Sequence, residues 1–345
     1  MKRAALWPLL FVAGAAMADP TYTILNFDQL SGWAEDDHAA ALAVFRNTCG
    51  DLPDRDWINI CAFAATNPDP RAYFELLFRP VLIEDGAPML FTGYYEPELR
   101  GALTPDAVYR YPIYALPPDL PQDQPWLTRQ QIEETGALLG QGLEIAYLAD
   151  PVDVFFLQIQ GSGRIKLPGG RVIRVGYAGK NGQPYASIGA ELITRGIYTV
   201  DQLSAETIRS WVRANPDLGQ ALLWTNTSYV FFREVSEVPA DQGPLGAMNR
   251  SVTPLRSIAV DPSLVPLGAP VWIEKAGDNP MHRLMIAQDT GAAIKGAQRA
   301  DIFFGTGAAA GRQAGNIRDT GRMVVLLPIQ RAYDQLPEVL AAANP

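Results

Sequence analysis

Histidine is scarce in this chain, which has two histidines, His38 and His282, among 345 residues. A Ser-His-Asp or Cys-His site needs an imidazole held by a carboxylate, and a zinc site usually takes several His or Cys ligands. His38 follows an acidic run at 35–37 and His282 lies in a predicted turn, so both are expected on the surface. The sequence therefore gives no support to histidine-dependent catalysis or to a histidine-bound metal.

Phosphate-binding motifs and a basic charge surplus are also missing. No GxxxxGK[ST] loop occurs, and no GxGxxG follows a predicted strand. The chain has 28 Lys and Arg against 37 Asp and Glu, for a formal net charge of −9. Nucleic acid binding needs clustered Lys and Arg, so we expect no nucleic acid partner.

Cysteine occurs twice, as Cys49 and Cys61, and neither has a neighbouring histidine to activate it. An exported protein folds in an oxidising compartment, where a disulfide between the two is expected. The alternative is two separately buried thiols.

Long apolar runs are absent after the N-terminus. The run at 4–17 follows a basic pair at 2–3, and Ala16 and Ala18 form an A-x-A cleavage site. The run is short for a membrane span and fits a signal peptide at 1–18. We expect export to the periplasm and, since no cysteine follows the run, no lipid anchor. Association with the outer membrane is left open.

Glycine and proline are plentiful, at 30 and 28 residues, and they separate short apolar strands after residue 245. This pattern predicts a small β-barrel in that region. The stretch 28–80 is predicted to be helical, and 152–167 is predicted to be an apolar strand. Three further helices are predicted from their N-cap residues: Thr128, Ser187 and Ser204.

Three aspartates, Asp261, Asp289 and Asp301, lie at the ends of these predicted strands. Phe303 and Phe304 follow Asp301, and a carboxyl group among such side chains loses hydration, which raises its pKa. A carboxyl group that is protonated at neutral pH can act as a general acid. The alternative for each aspartate is that it caps a turn.

The triplet Asp-Thr-Gly occurs at 289–291 and again at 319–321, as in aspartic proteases. Such proteases need two facing carboxylates from equivalent lobes that share one proton. The two aspartates are too close in sequence for separate lobes, and Arg318 and Arg322 flank the second. An aspartic protease therefore ranks third, well behind the two functions considered below.

Seven stretches together resemble the membrane-bound lytic murein transglycosylase A family over most of the mature chain. They are FTGYYEPEL (91–99), YPIYALPP (111–118), FLQIQGSGRI (156–165), YAGKNGQPYASIGAELI (177–193), NTSYVFF (226–232), RSIAVDPSLVPLG (256–268) and DTGAAIKGAQRADIFFGTG (289–307). The final stretch resembles the family's 3D signature, whose three aspartates match Asp261, Asp289 and Asp301.

The resemblance implies a mainly β fold, in which a double-ψ β-barrel domain is interrupted by a second, smaller β-rich insert domain, with N-terminal helices and a groove between the domains. We therefore expect a signal peptide at 1–18, the N-terminal part of the barrel domain at 19–99, the insert domain at 100–244, the barrel with the 3D signature at 245–330 and a C-terminal tail at 331–345.

The resemblance makes Asp301 the catalytic acid and places Asp289, Lys295 and the turn at 160–163 near the groove. Asp261 is expected as a supporting residue together with Asp289 and Lys295. One departure from the family pattern is Ala292, where a second glycine is usual; it fits if that position does not need a positive φ. The candidate sugar contacts, for which strand packing is the alternative role, are Tyr94, Tyr95, Gln158, Gln160, Gly161, Ser162 and Gly163.

The implied reaction cleaves the β-1,4 bond between N-acetylmuramic acid and N-acetylglucosamine and leaves a 1,6-anhydro end. One carboxyl group can suffice, because the attacking C6 hydroxyl already belongs to the reacting sugar. No metal or organic cofactor is expected. The implied partner is the peptidoglycan glycan strand, proteins of wall synthesis or division are candidate partners, and a monomer is expected. The alternative function is a non-catalytic, expansin-like protein that binds glycan or loosens the wall.

Overall fold

The structure is a computed structural model that describes residues 19–335 except 53, 54 and 122. The expected signal peptide at 1–18 and most of the expected C-terminal tail lie outside the described residues. Within the described part of the chain, no helix is both long enough and apolar enough to cross a membrane.

The described residues form two β-sheets with helices packed around them. The strands of the larger sheet are β1 (Thr21–Ile24), β2 (Phe78–Glu84), β3 (Leu90–Glu96), β10 (Ser257–Val260), β11 (Pro270–Lys275), β12 (Met281–Thr290), β13 (Arg299–Thr306), β14 (Arg318–Asp319) and β15 (Gly321–Pro328). Those of the smaller sheet are β4 (Glu98–Ala102), β5 (Tyr111–Tyr114), β6 (Glu144–Leu148), β7 (Ser162–Lys166), β8 (Val172–Lys180) and β9 (Val230–Glu234). The helices are α1 (His38–Thr48), α2 (Arg55–Ala64), α3 (Pro70–Leu77), α4 (Arg129–Thr135), α5 (Pro151–Gln160), α6 (Ile188–Thr194), α7 (Ala205–Ala214), α8 (Pro216–Thr225), α9 (Gly307–Gly315) and α10 (Ile329–Asp334).

The larger sheet has the strand order β1-β2-β15-β11-β12-β10-β13-β3-β14. Only Thr320 separates β14, at one edge, from β15, which pairs with β2 and β11. The chain therefore crosses from the edge of the sheet to its interior within one residue, and the sheet bends back on itself. The strand pairs leave two edges, β1 and β14, within the described residues and do not form a closed barrel. Closure as a double-ψ barrel stays a prediction.

The main core joins the two ends of the sequence. Phe45, Phe74 and Phe78, from α1, α3 and the start of β2, are fully buried in one aromatic cluster. Trp33 packs edge-on against Trp272 of β11, with their ring centroids 5.1 Å apart. Burial of each such side chain contributes roughly 1.5–3 kcal/mol or more. The N-terminal segment therefore shares one core with the strands that follow residue 245.

The two cysteines form a disulfide bond, Cys49 to Cys61, as the sequence analysis expected. Cys49 directly follows α1 and Cys61 lies within α2, so the bond ties two helices of the N-terminal segment together.

The prediction that both histidines lie on the surface is wrong for His38. His38 is 5% exposed, its ring centroid lies 4.4 Å from that of Trp33, and burial lowers the pKa of its imidazole. His282 is exposed, but it lies within strand β12 rather than in a turn.

The smaller sheet has the order β5-β6-β4-β7-β8-β9, and helix α5 packs against it. The prediction of one strand over 152–167 is wrong, since residues up to Gln160 form α5 and only the remainder forms β7. The Asp150 side chain accepts a hydrogen bond from the Val152 amide at the start of α5, and Gly161 ends the helix with a φ of 74°. Gln160 and the turn after it are thereby placed at the start of β7, an interior strand of the smaller sheet.

The two sheets meet at a buried carboxylate, Glu96, at the end of β3. Its side chain is fully buried, with Arg164 of β7 and Arg174 of β8 each at 2.8 Å from one of its oxygens. The Thr306 hydroxyl of β13 donates a hydrogen bond to it at 2.8 Å. A buried carboxylate of this kind needs such partners, so the cluster fixes how the two sheets are placed.

Candidate functional site

A row of four residues crosses the larger sheet and brings two of the predicted aspartates together. Asp289 of β12 pairs with Ala259 of β10, Ala259 pairs with Asp301 of β13, and Asp301 pairs with Thr92 of β3. Residues that lie opposite one another in neighbouring strands point to the same face. Two strand spacings separate the backbones of the two aspartates by ~10 Å. Ala259, which lies between them, is buried against Tyr94 and Phe303.

Asp301 lies near the start of β13 and is partly buried. The Thr92 hydroxyl donates a hydrogen bond to its Oδ1 at 2.6 Å. Burial raises the pKa of Asp301, while the Thr92 hydrogen bond and the charge of Arg299 oppose that rise. No other hydrogen bond to this carboxyl group occurs among the described residues, so Oδ2 has no hydrogen-bond partner there.

Asp289 is the second carboxyl group of the row, and it accepts more hydrogen bonds than Asp301 does. The Tyr94 hydroxyl donates to its Oδ2 at 3.0 Å, and the amides of Ala247 and Thr290 donate to its Oδ1 at 3.0 and 2.9 Å. Burial raises the pKa of Asp289 to about 6; the three hydrogen bonds oppose this rise and the charge of Asp301 adds to it. Asp289 therefore changes its charge near neutral pH, unlike an ordinary aspartate.

Tyr94 connects this pair of acids to the apolar side of the site. Its ring lies 5.1 Å from that of Phe303, which is fully buried. Burial, followed by the charges of Asp289 and Asp301, raises the pKa of Tyr94 well above its usual value. The phenol is therefore a neutral hydrogen-bond donor throughout the physiological pH range.

Asp261 has a different environment from the other two aspartates of the motif. Its carboxylate accepts hydrogen bonds from the amide and hydroxyl of Ser263 and from the Gly296 amide. Burial alone would raise its pKa, but these hydrogen bonds and the charge of Lys295, at 3.4 Å, together lower it. Asp261 is thus ionised at neutral pH, and its contacts are those of a turn cap. Lys295 is paired with it and has a largely exposed side chain.

The predicted turn at 160–163 lies where the two sheets meet. The Tyr95 amide donates to Gln160 Oε1 at 3.0 Å, and the Tyr95 hydroxyl accepts from Arg209 at 3.3 Å. A Cβ at Gly163 would collide with the end of the Leu157 side chain and lie 3.2 Å from the Pro97 carbonyl, so this position favours a glycine. Ser162 is buried beside it, and Gly161 supplies the left-handed end of α5. The turn connects the smaller sheet to the strand that carries Thr92 and Tyr94.

Gln158 does not lie on an open surface as a sugar contact would. It is 4% exposed; its Oε1 accepts from Arg129 at 2.6 Å and its Nε2 donates to the Val230 carbonyl at 3.2 Å. Both ends of its amide are used inside the smaller sheet. Gln158 was expected to contact sugar. The structure instead gives it the alternative role, packing inside the smaller sheet.

The sequence analysis missed three contributors to the site: Thr92, Arg299 and the Ala247 amide. Arg299 precedes Asp301 by two residues on one strand, so the period of two already put them on the same face. Its Nη2 donates to the Thr92 hydroxyl at 2.8 Å. The contributions of Thr92 and Ala247 depend on long-range strand and loop pairing, for which the sequence holds no local signal.

Comparisons with known proteins agree with this architecture. The family model described as the MltA specific insert domain matches residues 90–233, and the one described as the 3D domain matches 256–327. The membrane-bound lytic murein transglycosylase A of Vibrio cholerae is 35% identical over 263 residues, which are 73% of this chain and 68% of that protein.

Solved structures are similar over nearly the whole described chain. The membrane-bound lytic murein transglycosylase from Agrobacterium tumefaciens has a TM-score of 0.81 at 32% identity, covering 92% of this chain and 100% of that one. Escherichia coli MltA with bound chitohexaose has a TM-score of 0.71 at 29% identity, covering 89% and 94%. By sequence and by structure, this chain belongs to the membrane-bound lytic murein transglycosylase A family.

Proposed function

We propose that this chain is a peptidoglycan lytic transglycosylase. In this proposal it cleaves the β-1,4 bond between N-acetylmuramic acid and N-acetylglucosamine and leaves a 1,6-anhydro end. One observation carries the proposal: Asp301 has a raised pKa, one oxygen held by Thr92 and the other oxygen free. A partly buried carboxyl group with a raised pKa and one oxygen without a hydrogen bond suits protonation of a leaving glycosidic oxygen.

In the first step, Asp301 gives its proton to the glycosidic oxygen as the bond to the anomeric carbon breaks. In the second step, the carboxylate takes the proton of the muramic C6 hydroxyl as that oxygen bonds to the anomeric carbon. The acid is thereby regenerated and no water is consumed. Intramolecular attack is worth up to ~7–11 kcal/mol in favourable geometry, so a second catalytic carboxylate at nucleophile distance is not required.

Asp289 has a supporting role in the proposal. The transition state of glycosidic cleavage carries positive charge on the sugar ring. Asp289, ionised above a pKa of about 6 and held by Tyr94, would place a negative charge on the same face of the sheet as Asp301. Asp261 and Lys295 instead hold the loop that leads into β13.

The glycan strand is proposed to lie in a groove between the two sheets, with Tyr94, Tyr95 and the turn at 160–163 beside it. The bound chitohexaose in the Escherichia coli structure supports a sugar polymer as the ligand class. We also propose the domain division at 99/100 and 244/245, a double-ψ closure of the larger sheet through the β14 to β15 crossing, a periplasmic location and action as a monomer.

The test is mass spectrometry of the material that purified enzyme releases from isolated sacculi. Wild type is expected to release soluble 1,6-anhydromuropeptides, and Asp301→Asn is expected to be slower by ~10²–10⁴-fold, the usual contribution of a general acid. Asp278→Asn, in an exposed turn, is the matched control and should retain wild-type rates. Anhydro-product formation at a wild-type rate by Asp301→Asn would contradict the assignment. Binding of sacculi by wild type without any release would favour the expansin-like alternative.

A further inference from the structure

Thr92 lies between a fixed cation and the proposed catalytic acid. Its Oγ1 is 2.6 Å from Asp301 Oδ1 and 2.8 Å from Arg299 Nη2. Arg299 is itself fixed, since its Nη1 donates to the Ala300 carbonyl at 2.7 Å and lies 3.3 Å from the Leu90 carbonyl. The three side chains form a chain of hydrogen bonds that ends on one oxygen of the acid.

The direction of these hydrogen bonds follows from the donors. A guanidinium can only donate, so the Thr92 oxygen accepts from Arg299. The single hydroxyl proton of Thr92 is then available for Asp301 Oδ1. The carbonyl oxygen of a carboxylic acid accepts a hydrogen bond better than its hydroxyl oxygen does, so this bond at Oδ1 favours the acid proton on Oδ2. That oxygen has no hydrogen-bond partner among the described residues.

We propose that Thr92, oriented by Arg299, is a positioning residue that keeps the acid proton of Asp301 on Oδ2 and stabilises the carboxylate left after proton transfer. This inference rests on the proposed function. It assigns to Thr92 and Arg299 a role that neither strand packing nor sugar contact requires. A hydrogen bond from a donor to an ionised carboxylate is stronger than one to the neutral acid, so Thr92 also sets the pH range in which Asp301 acts.

Other charged groups also face Asp301. Arg299 lies on its own strand, Asp289 faces it from β12 across Ala259, and Tyr94 faces it from β3. Arg318 of β14 pairs with Thr92 and so continues the same row beyond it. Tyr94 stays neutral, but Asp289 changes its charge near pH 6. The pH profile must therefore be measured in the Asp289→Asn background as well as in wild type, to separate the two titrations.

The test compares two variants. Thr92→Val keeps the shape of the side chain but removes the hydroxyl group, and Thr92→Ser keeps the hydroxyl group. In Thr92→Val we expect the rate of anhydromuropeptide release to fall ~10–100-fold and the alkaline limb of kcat/KM to move up by about one pH unit, since a donor to the carboxylate is lost. Thr92→Ser should keep the wild-type profile. Arg299→Gln should move the limb in the same direction by less.

Carbon-13 NMR titration of the Asp301 carboxyl group gives the same pKa without activity, and circular dichroism checks that each variant is folded. If Asp301→Asn retains activity, the proposed function fails. If Asp301→Asn is inactive but folded Thr92→Val keeps the wild-type rate and profile, only this inference fails. If Thr92→Val does not fold, Arg299→Gln decides: an unchanged Asp301 pKa in that variant would overturn the inference.

Discussion

The triplet Asp-Thr-Gly occurs twice in this chain, and its two copies lie in opposite electrostatic surroundings. Asp289 of the first copy is held by Tyr94 and two backbone amides, and its pKa is raised to about 6. Asp319 of the second copy accepts a hydrogen bond at 2.6 Å from Lys275, which is 1% exposed. The first aspartate can exchange a proton near neutral pH, and the second is committed to an ion pair.

Strand pairing, not the triplet, causes this difference. The first copy ends β12, whose neighbour β10 leads across to Asp301. The second copy spans β14 and the start of β15, which runs beside β11 and so meets Lys275. A Cβ at Gly321 would collide with the Glu274 backbone, so the second glycine is required by this close approach. Two aspartates with different partners do not share one proton, which argues against the two triplets of one chain acting as the aspartate pair of a protease.

The largest expected effect that tests this comparison is on stability, at the second copy. Asp319→Asn leaves the buried Lys275 ammonium without its carboxylate, and removing one partner of a buried pair typically costs ~3–5 kcal/mol. Asp319 is partly exposed, so we expect ~2–4 kcal/mol less unfolding free energy in urea titrations, with the release of anhydromuropeptides by the folded enzyme retained.

The matched control for this change is the double variant Asp319→Asn with Lys275→Met, which removes both charges. Replacing a buried ion pair by an uncharged pair is often neutral, so the double variant should recover most of the lost stability. Loss of activity in folded Asp319→Asn would show instead that the two triplets act together.

The next effect, at the first copy, depends on pH. Burial raises the Asp289 pKa from 3.8 to about 6, so the folded chain keeps this proton where the unfolded chain has released it. The stabilisation is fully present below about pH 4 and is lost as the pH rises through about 6. Compared with Asp289→Asn, wild type should lose ~2–3 kcal/mol of unfolding free energy between those values. Parallel stability curves for the two proteins would contradict the raised pKa.

Much of the larger sheet could be predicted from the sequence, because its strands are short apolar segments between Gly and Pro turns. The three N-caps, Thr128, Ser187 and Ser204, were predicted correctly and open α4, α6 and α7. Each cap is a local feature, in which a side chain bonds an amide two or three residues ahead. N-cap residues predicted from the sequence are therefore found at the starts of helices in the folded structure.

Helices α9 and α10, in a region predicted as short strands, were missed, and so were α5 and α8, for a physical reason. Helix α5 is buried nearly all round, and an apolar run buried on every side has no period that separates helix from strand. The signals for both helix ends were nevertheless present in the sequence, since Asp150 and Pro151 begin the helix and Gly161 ends it. Helix α8 was not predicted, and in the structure Pro216 is its first residue. A proline fits the first helical turn as well as the end of a preceding one.

The site was predictable only in part. The resemblance singled out Asp289 and Asp301, but their common face depends on β10 lying between β12 and β13, which is a long-range pairing. Thr92 lies 209 residues before Asp301 in sequence. No periodicity relates positions that far apart, so its hydrogen bond to the acid emerges only from the fold.

The smallest expected effect tests whether the loop after the first triplet is as constrained as the turn at the second. Ala292 is exposed and is not among the described residues with a positive φ, so it needs no glycine. Ala292→Gly adds freedom to the unfolded chain and should lower the unfolding free energy by ~0.4–1 kcal/mol, with activity unchanged. The same single-methyl difference at the second triplet, Gly321→Ala, should cost several times more because of the Glu274 backbone. Thermal unfolding of both variants measures the contrast. If the Ala292→Gly variant is more stable or more active than wild type, the alanine strains the loop that carries Asp289.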